Sequence, residues 1–170
     1  RLCSRHSAAS LTPSGGAAAA NHNERMQGIR DTLAGKASAA SPGDRLAGTN
    51  GWTEIDGCPL YTDDDFPKSV QQFEDFMAKN PNVDAFVPTG GFPQFIPDAN
   101  RAAVGKYKEQ IAAKKLALVV ADTLPVQIDQ MKEGLSLGQV GQRPFEMGYM
   151  TMKALQDMAV RKPRTRDEFL

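Results

Sequence analysis

The sequence has almost no cysteine or histidine, with two of each in 170 residues. Cys3 and Cys58 form no Cys-x-x-Cys pair and no Cys/His cluster, which excludes a disulfide framework and a structural zinc site. His6 and His22 have no second ligand at metal-binding spacing and read as solvated surface side chains. Neither charge is in surplus, since 20 Lys and Arg balance 20 Asp and Glu for a net charge of zero. A grip on nucleic acid or on an anionic membrane surface needs a cationic face, so no nucleic-acid partner is expected and the ligand should be neutral or weakly charged. No apolar run approaches the roughly 18–20 residues of a bilayer-spanning helix. No set of nucleophile, base and orienter is present either: Ser136 is the only serine near a glycine motif, and neither histidine stands beside a candidate nucleophile. The expectation is a protein without catalytic residues, metal or cofactor.

What is present is a chain that is 41% hydrophobic and long enough for one sizeable core. Residues 1–16 show no strand or helix period and no apolar stretch of a signal peptide, so they are expected to be irregular and non-native, the product of a truncation or a misread frame. A folded lobe is expected over residues 17–162, followed by a tail at 163–170. Asn21, with Glu24 three residues on, suits the cap of a helix whose apolar face is Met26, Ile29 and Leu33 and whose stop is Gly35. Residues 52–61 mix β-formers with Gly and Pro and read as an irregular edge strand. Pro67 opens a second helix with Val70, Phe73 and Met77 inward, ended by Asn80-Pro81. A short strand at 83–87 runs into Pro88-Thr89-Gly90-Gly91, and a helix over 98–111 precedes the continuous apolar strand 116–120. After Asp122, Pro125 opens a helix with Ile128, Met131 and Leu135 inward. A strand at 137–140 then leads through Gly141-Gln142-Arg143 to a helix over 144–160, with Gly148, Met152 and Leu155 on one face.

Repeating strand, loop and helix imply parallel strands joined by right-handed crossovers, hence an α/β fold with a doubly wound parallel sheet in three layers, α/β/α. Ligands of such sheets sit beyond the carboxyl ends of the strands, at helix N-termini. That rule selects residues 21–25, 63–66, 89–92, 122–123 and 142–143. Asp122, at the end of the most buried strand, can accept two bonds from vicinal hydroxyls, or can cap the helix at Pro125. Arg25 can fork two sugar oxygens, or remain solvated. Gln142 suits a hydroxyl that both donates and accepts, or bonds local backbone. Phe66 can stack on the apolar face of a sugar ring, or staple onto Val70. Gly90-Gly91 lacks the context of a phosphate loop and reads as a tight turn allowing close approach to the backbone. Asp63-Asp64-Asp65 lacks the spaced ligands of a calcium loop and reads as a solvated turn plus helix cap.

Four segments in order and spacing carry a family resemblance: Asn21-His-Asn-Glu-Arg25-Met-Gln-Gly28-Ile29, the strand 82–87, the strand end Val119-Val-Ala-Asp122, and Gly138-Gln-Val-Gly-Gln142-Arg-Pro-Phe-Glu-Met-Gly148. Together they resemble the ribose-type periplasmic sugar-binding proteins of bacterial ABC importers, over about residues 15–162 and for the second lobe only. The resemblance implies one lobe of a two-lobe, type I periplasmic binding protein, with the first lobe of the same parent protein as its partner. A monosaccharide or polyol would be held between the lobes and delivered to an ABC permease, and the location would be the periplasm. It places ligand-binding roles on Arg25, Asp122 and Gln142, and more loosely a stacking role on Phe66. Gly90 stands where ribose-binding members carry an Asn, which implies a different pentose, a hexose or a polyol. The alternative is the effector-binding domain of a LacI-type transcription repressor, which shares these lobes and would need an upstream helix-turn-helix.

Overall fold

The structure, a computed structural model, describes residues 7–12 (as backbone) and 16–160. The chain divides into two compact units, Arg1–Val140 and Gly141–Leu170, so the lobe expected over 17–162 includes parts of both. The first unit holds β1 (Ser7–Thr12), α1 (Ala20–Ala34), β2 (Trp52–Glu54), α2 (Phe66–Lys79), β3 (Ala85–Pro88), α3 (Pro97–Gly105), α4 (Lys108–Ala112), β4 (Ala117–Ala121), α5 (Pro125–Lys132) and β5 (Gly138–Val140). A short 3-10 turn at Phe92–Phe95 lies between β3 and α3. The second unit holds α6 (Pro144–Ala159).

The five strands form one parallel sheet in the order β2-β1-β3-β4-β5. This is a doubly wound α/β arrangement, as the alternating pattern predicts. One expectation is overturned at the start of the chain: residues 7–12 are not irregular but form β1, which pairs with both β2 and β3 through registers such as Ala9↔Glu54 and Ala9↔Ala85. Ser-Ala-Ala-Ser-Leu-Thr carries no alternation, and two flanking ladders rather than side-chain pattern hold it as a strand. The strand expected over 52–61 shortens to Trp52–Glu54 at the sheet edge.

The strand pattern explains the core. Phe86, Leu118 and Val120 point to the face covered by α2, α3 and α5, where they meet Val70, Phe73, Phe76, Met77, Val104 and Ile111. Their neighbours Val87, Val119 and Ala121 line the opposite face beside α1, the period-two alternation of a strand. Phe73 and Phe86 sit edge to face with centroids 5.0 Å apart, each 1% exposed. Burial of such a side chain stabilises the fold by roughly 1.5–3 kcal/mol.

Helix boundaries and faces differ from the sequence reading in instructive ways. α1 begins at Ala20 without a side-chain cap, so Asn21 lies inside it; the alanines preceding Asn21 are strong helix formers and carry the start forward. Gly35 ends it in the left-handed conformation, as expected. Its most buried residues are His22, Met26 and Arg30, while Ile29 and Leu33 line a cavity instead. Asp65 caps α2 by accepting from the Lys68 N–H at 2.8 Å, which bears out the capping reading of the acidic run. The single helix expected over 98–111 is two, broken after Gly105, where the Tyr107 N–H turns back to the Val104 carbonyl at 2.8 Å. On α5 the buried residues are Gln127 and Gln130, both 0% exposed, and not Ile128 and Met131. In α6 the residues Phe145, Met147, Tyr149, Met152, Leu155 and Met158 are exposed, and only Ala154 is buried.

Candidate functional site

The loops that leave β3 and β4 and the loops that enter α1 and α2 share the carboxyl edge of the sheet. His22, in the first turns of α1, places Nδ1 3.1 Å from Thr89 Oγ1, just beyond β3. Its imidazole is 8% exposed, which overturns the solvated reading of this residue: the α1 face that carries Met26 also carries His22 inward. Burial and then the Arg25 guanidinium hold its pKa below the usual histidine range, while Asp64 and Asp122 pull the other way. Two carboxylates from separate loops therefore act on one imidazole. Asp63 and Asp64 adopt left-handed backbone (φ 54° and 60°) ahead of α2, and Lys68 is paired with Asp63.

Phe66 is 39% exposed and stacks on Phe92 at 5.3 Å with 29° between planes, while Phe95 meets it edge-on at 5.4 Å. Phe92 also lies 6.3 Å from the His22 ring. An aromatic face with an exposed edge thus stands beside the histidine and the acidic loops. Hydrophobic rings of this kind present an apolar surface to the C–H face of a ligand ring.

Asp122 follows β4 in left-handed backbone, φ 73°. The cap of α5 is Leu124, so capping does not account for Asp122. The loop is held by amides: Gln127 Nε2 donates to the Ala121 carbonyl at 2.9 Å, and Gln127 Oε1 accepts from the Leu124 N–H at 3.0 Å. Asp122 itself donates its N–H to the Val140 carbonyl at 2.8 Å. With its amide oriented to match donors with acceptors, Gln139 donates to the Asp122 and Val120 carbonyls at 3.1 Å and accepts from Gln94 Nε2 at 2.8 Å.

Arg25 is half-buried and donates Nη1 to the Thr89 carbonyl at 2.8 Å. The solvated alternative for it does not hold, and one arm of its fork is engaged by the β3 end. It also lines a cavity of about 580 Å³ between α1 and strands β3 to β5, whose walls are Ile29, Leu33, Val87, Val119 and Val140 among others. Those walls offer almost nothing to hydroxyl groups, so the polar strand ends, not this void, form the candidate ligand site. Gly90 is buried after β3. At Gly91 a Cβ would lie 2.5 Å from Gln127 Nε2 and 2.9 Å from the Phe95 ring, so this turn admits close approach of its own neighbours. Gln142 is exposed and lies in the second unit.

The structure brings together Asp122, Arg25, Phe66 and the turn at Gly90. It adds His22, Thr89 and Phe92, all three inside ranges the strand-end rule had selected, although His22 itself read as solvated. The buried amides Gln94 and Gln127 and the half-buried Gln139 were missed; the one signal was the i, i+3 spacing of Gln127 and Gln130, against the apolar stripe. Among the described residues no cluster of His, Cys, Asp and Glu could hold a metal ion, and no helix is long and apolar enough to cross a membrane.

The parallel sheet, with these loops gathered at its carboxyl edge, is a doubly wound α/β fold, a class that takes ligands at that edge. The profile of the periplasmic binding protein domain matches residues 8–163, and the chain belongs to that family. Among solved structures it is similar to GanP, a glucose-galactose binding protein from Geobacillus stearothermophilus, at 18% identity and a TM-score of 0.67, covering 94% of this chain and 50% of that one. It is similar also to an ABC transporter solute-binding protein from Burkholderia graminis in complex with D-arabinose, at 23% identity and a TM-score of 0.65, covering 90% of this chain and 47% of that one. The chain therefore spans about half the length of these structures. No curated protein matches it.

Proposed function

We propose that this chain is one lobe of a periplasmic solute-binding protein that captures a monosaccharide or polyol for an ABC permease, and that it is not an enzyme. The observation that carries the reading is that a carboxylate, Asp122, and a partly exposed aromatic face, Phe66 and Phe92, both stand about His22 at one edge of the sheet. A carboxylate accepts from adjacent hydroxyls and an aromatic plane takes the apolar ring face, the pairing that a neutral sugar requires. The balanced charge and the sugars named for the two similar structures agree with it. Arg25 completes the polar set of the first unit, with Gly90 beside the β3 end, while the sugar-binding role of Gln142, which lies in the second unit, rests on the resemblance alone. The partner is the first lobe of the same parent protein, which would supply the remaining hydrogen bonds and exclude water; the setting is the periplasm.

A single lobe binds weakly, because half of the hydrogen bonds and the desolvating lid are missing. NMR titration of this chain with D-arabinose and D-galactose tests the reading. The expected result is millimolar binding with shifts centred on Thr89, Phe92 and Asp122. Saturation at micromolar sugar, or no shift at these residues at about 100 mM, would overturn it.

A further inference from the structure

We infer that Gln127 is a positioning residue for Asp122, and that through Gln94 and Gln139 it couples the Asp122 carboxylate to the aromatic turn at Phe92. This inference rests on the ligand site proposed above and names what holds that site in shape. Gln127 reaches both sides of the residue it controls, giving a proton to the Ala121 carbonyl and taking one from the Leu124 N–H. Between those two anchors Asp122 sits in left-handed backbone, a conformation that non-glycine residues hold only when their surroundings over-determine it. The surroundings do so here: the Asp122 N–H is taken by Val140 and its carbonyl by the Gln139 amide.

The same amides hold the aromatic turn. Gln94 lies between Phe92 and Phe95; its Oε1 accepts from Gln127 Nε2 at 2.9 Å, and its Nε2 donates to Gln139. Its main-chain carbonyl accepts from Gln130 Nε2 at 2.9 Å, and Gln130 in turn accepts from Asn100 of α3 at 2.8 Å. Gln94, Gln127, Gln130 and Asn100 are all at most 2% exposed. Apolar side chains at these places would pack without any need for partners, whereas buried amides are tolerated only when fully bonded. The bonds that run from Gln94 through Gln127 and Gln139 hold the two loops in one arrangement. Gly91 makes the contact feasible, since a Cβ there would collide with Gln127 Nε2.

The test uses the full chain with D-arabinose as probe and two variants, Gln127→Met and Gln139→Met. Each keeps length and bulk while removing donors and acceptors. NMR gives the Asp122 backbone torsion, the Phe92 signals and the sugar affinity, and the Phe73 and Phe86 signals report whether the core stays folded. The expected result is that Asp122 leaves the left-handed region, Phe92 shifts although it lies on another loop, and affinity falls at least tenfold while the core signals persist. A stability loss with the Asp122 torsion, Phe92 and affinity all unchanged would overturn the inference and leave the amides as packing alone. If Gln127→Met does not fold, Gln139→Met, at a less buried position, gives the same readouts. If the unsubstituted chain binds no sugar but Asp122 and Phe92 still move together in the variants, the sugar reading fails and the coupling stands.

Discussion

Arg30 of α1 and Glu54 of β2 are joined by two parallel hydrogen bonds, Nε to Oε1 at 2.7 Å and Nη2 to Oε2 at 2.8 Å, with side chains 5% and 0% exposed. Arg30 also donates to the Pro42 and Gly43 carbonyls, and Glu54 accepts from the Leu46 N–H at 3.1 Å. The pair ties the helix to the edge strand and to the loop between them. A buried ion pair is costly to break from one side, because the remaining charge has no solvent. Arg30→Met should lose about 3–5 kcal/mol by urea unfolding. The double variant Arg30→Met/Glu54→Leu should recover most of that loss, and a double variant as unstable as the single one would show that the charge is not the cause.

His22 makes stability depend on pH in a defined direction. Burial first, and Arg25 second, lower its pKa in the folded chain. In the unfolded chain the imidazole titrates near its usual value of about 6.5. Between the two values the unfolded state binds more protons, so stability rises with pH there. The contribution is complete above about pH 6.5 and is lost as pH falls through the lowered folded value. Thermal melts at pH 7.5 and 5.5 should differ more in the parent than in His22→Gln; equal differences would show that another group sets the slope.

Asp122 separates charge from conformation. Asn tolerates left-handed backbone, so Asp122→Asn should keep the loop, change stability by less than about 0.5 kcal/mol, and abolish sugar-induced shifts. Asp122→Val puts a β-branched side chain at φ 73° and should cost about 1–3 kcal/mol. Denaturant midpoints and NMR titration distinguish the two losses. Retained binding in Asp122→Asn would remove the carboxylate from the site.

Gly91 has an ordinary backbone, φ −84°, so its need for glycine is steric. Gly91→Ala drives a methyl against the Gln127 amide and the Phe95 ring and should destabilise by about 1–3 kcal/mol, as overpacking does. A melt unchanged from the parent would mean that the turn shifts without cost.

Much of this arrangement is legible in the sequence. The alternation of apolar runs with helical stripes points to a parallel sheet, and the rule of carboxyl-end binding reaches Asp122, Phe66 and the turn at Gly90. Residues that obey local rules were found: Pro67 and Asp65 at the start of α2, Gly35 at the end of α1, and Phe73 and Met77 on the buried face. Those that break them were not. Arg30, His22, Gln127 and Gln130 are polar and nearly absent from solvent, and apart from the i, i+3 spacing of the two glutamines nothing in their neighbours along the chain says so. Their partners are Glu54, Thr89, Gln94 and Asn100, between 24 and 67 residues away.

By itself, then, the sequence determined the elements whose formation depends on near neighbours: periodicity selects helix or strand, and Pro, Gly and Asp set the ends. Tertiary structure alone decided which polar side chains could be buried, because a buried donor is tolerated only where a distant acceptor meets it. It also decided that Ser7–Thr12 is an inner strand of the sheet, since a ladder on each side supplies hydrogen bonds that no local pattern encodes. And it decided the backbone of Asp122, which is held from outside by Val140, Gln139 and Gln127 in a left-handed conformation that Asp tolerates but does not select by itself.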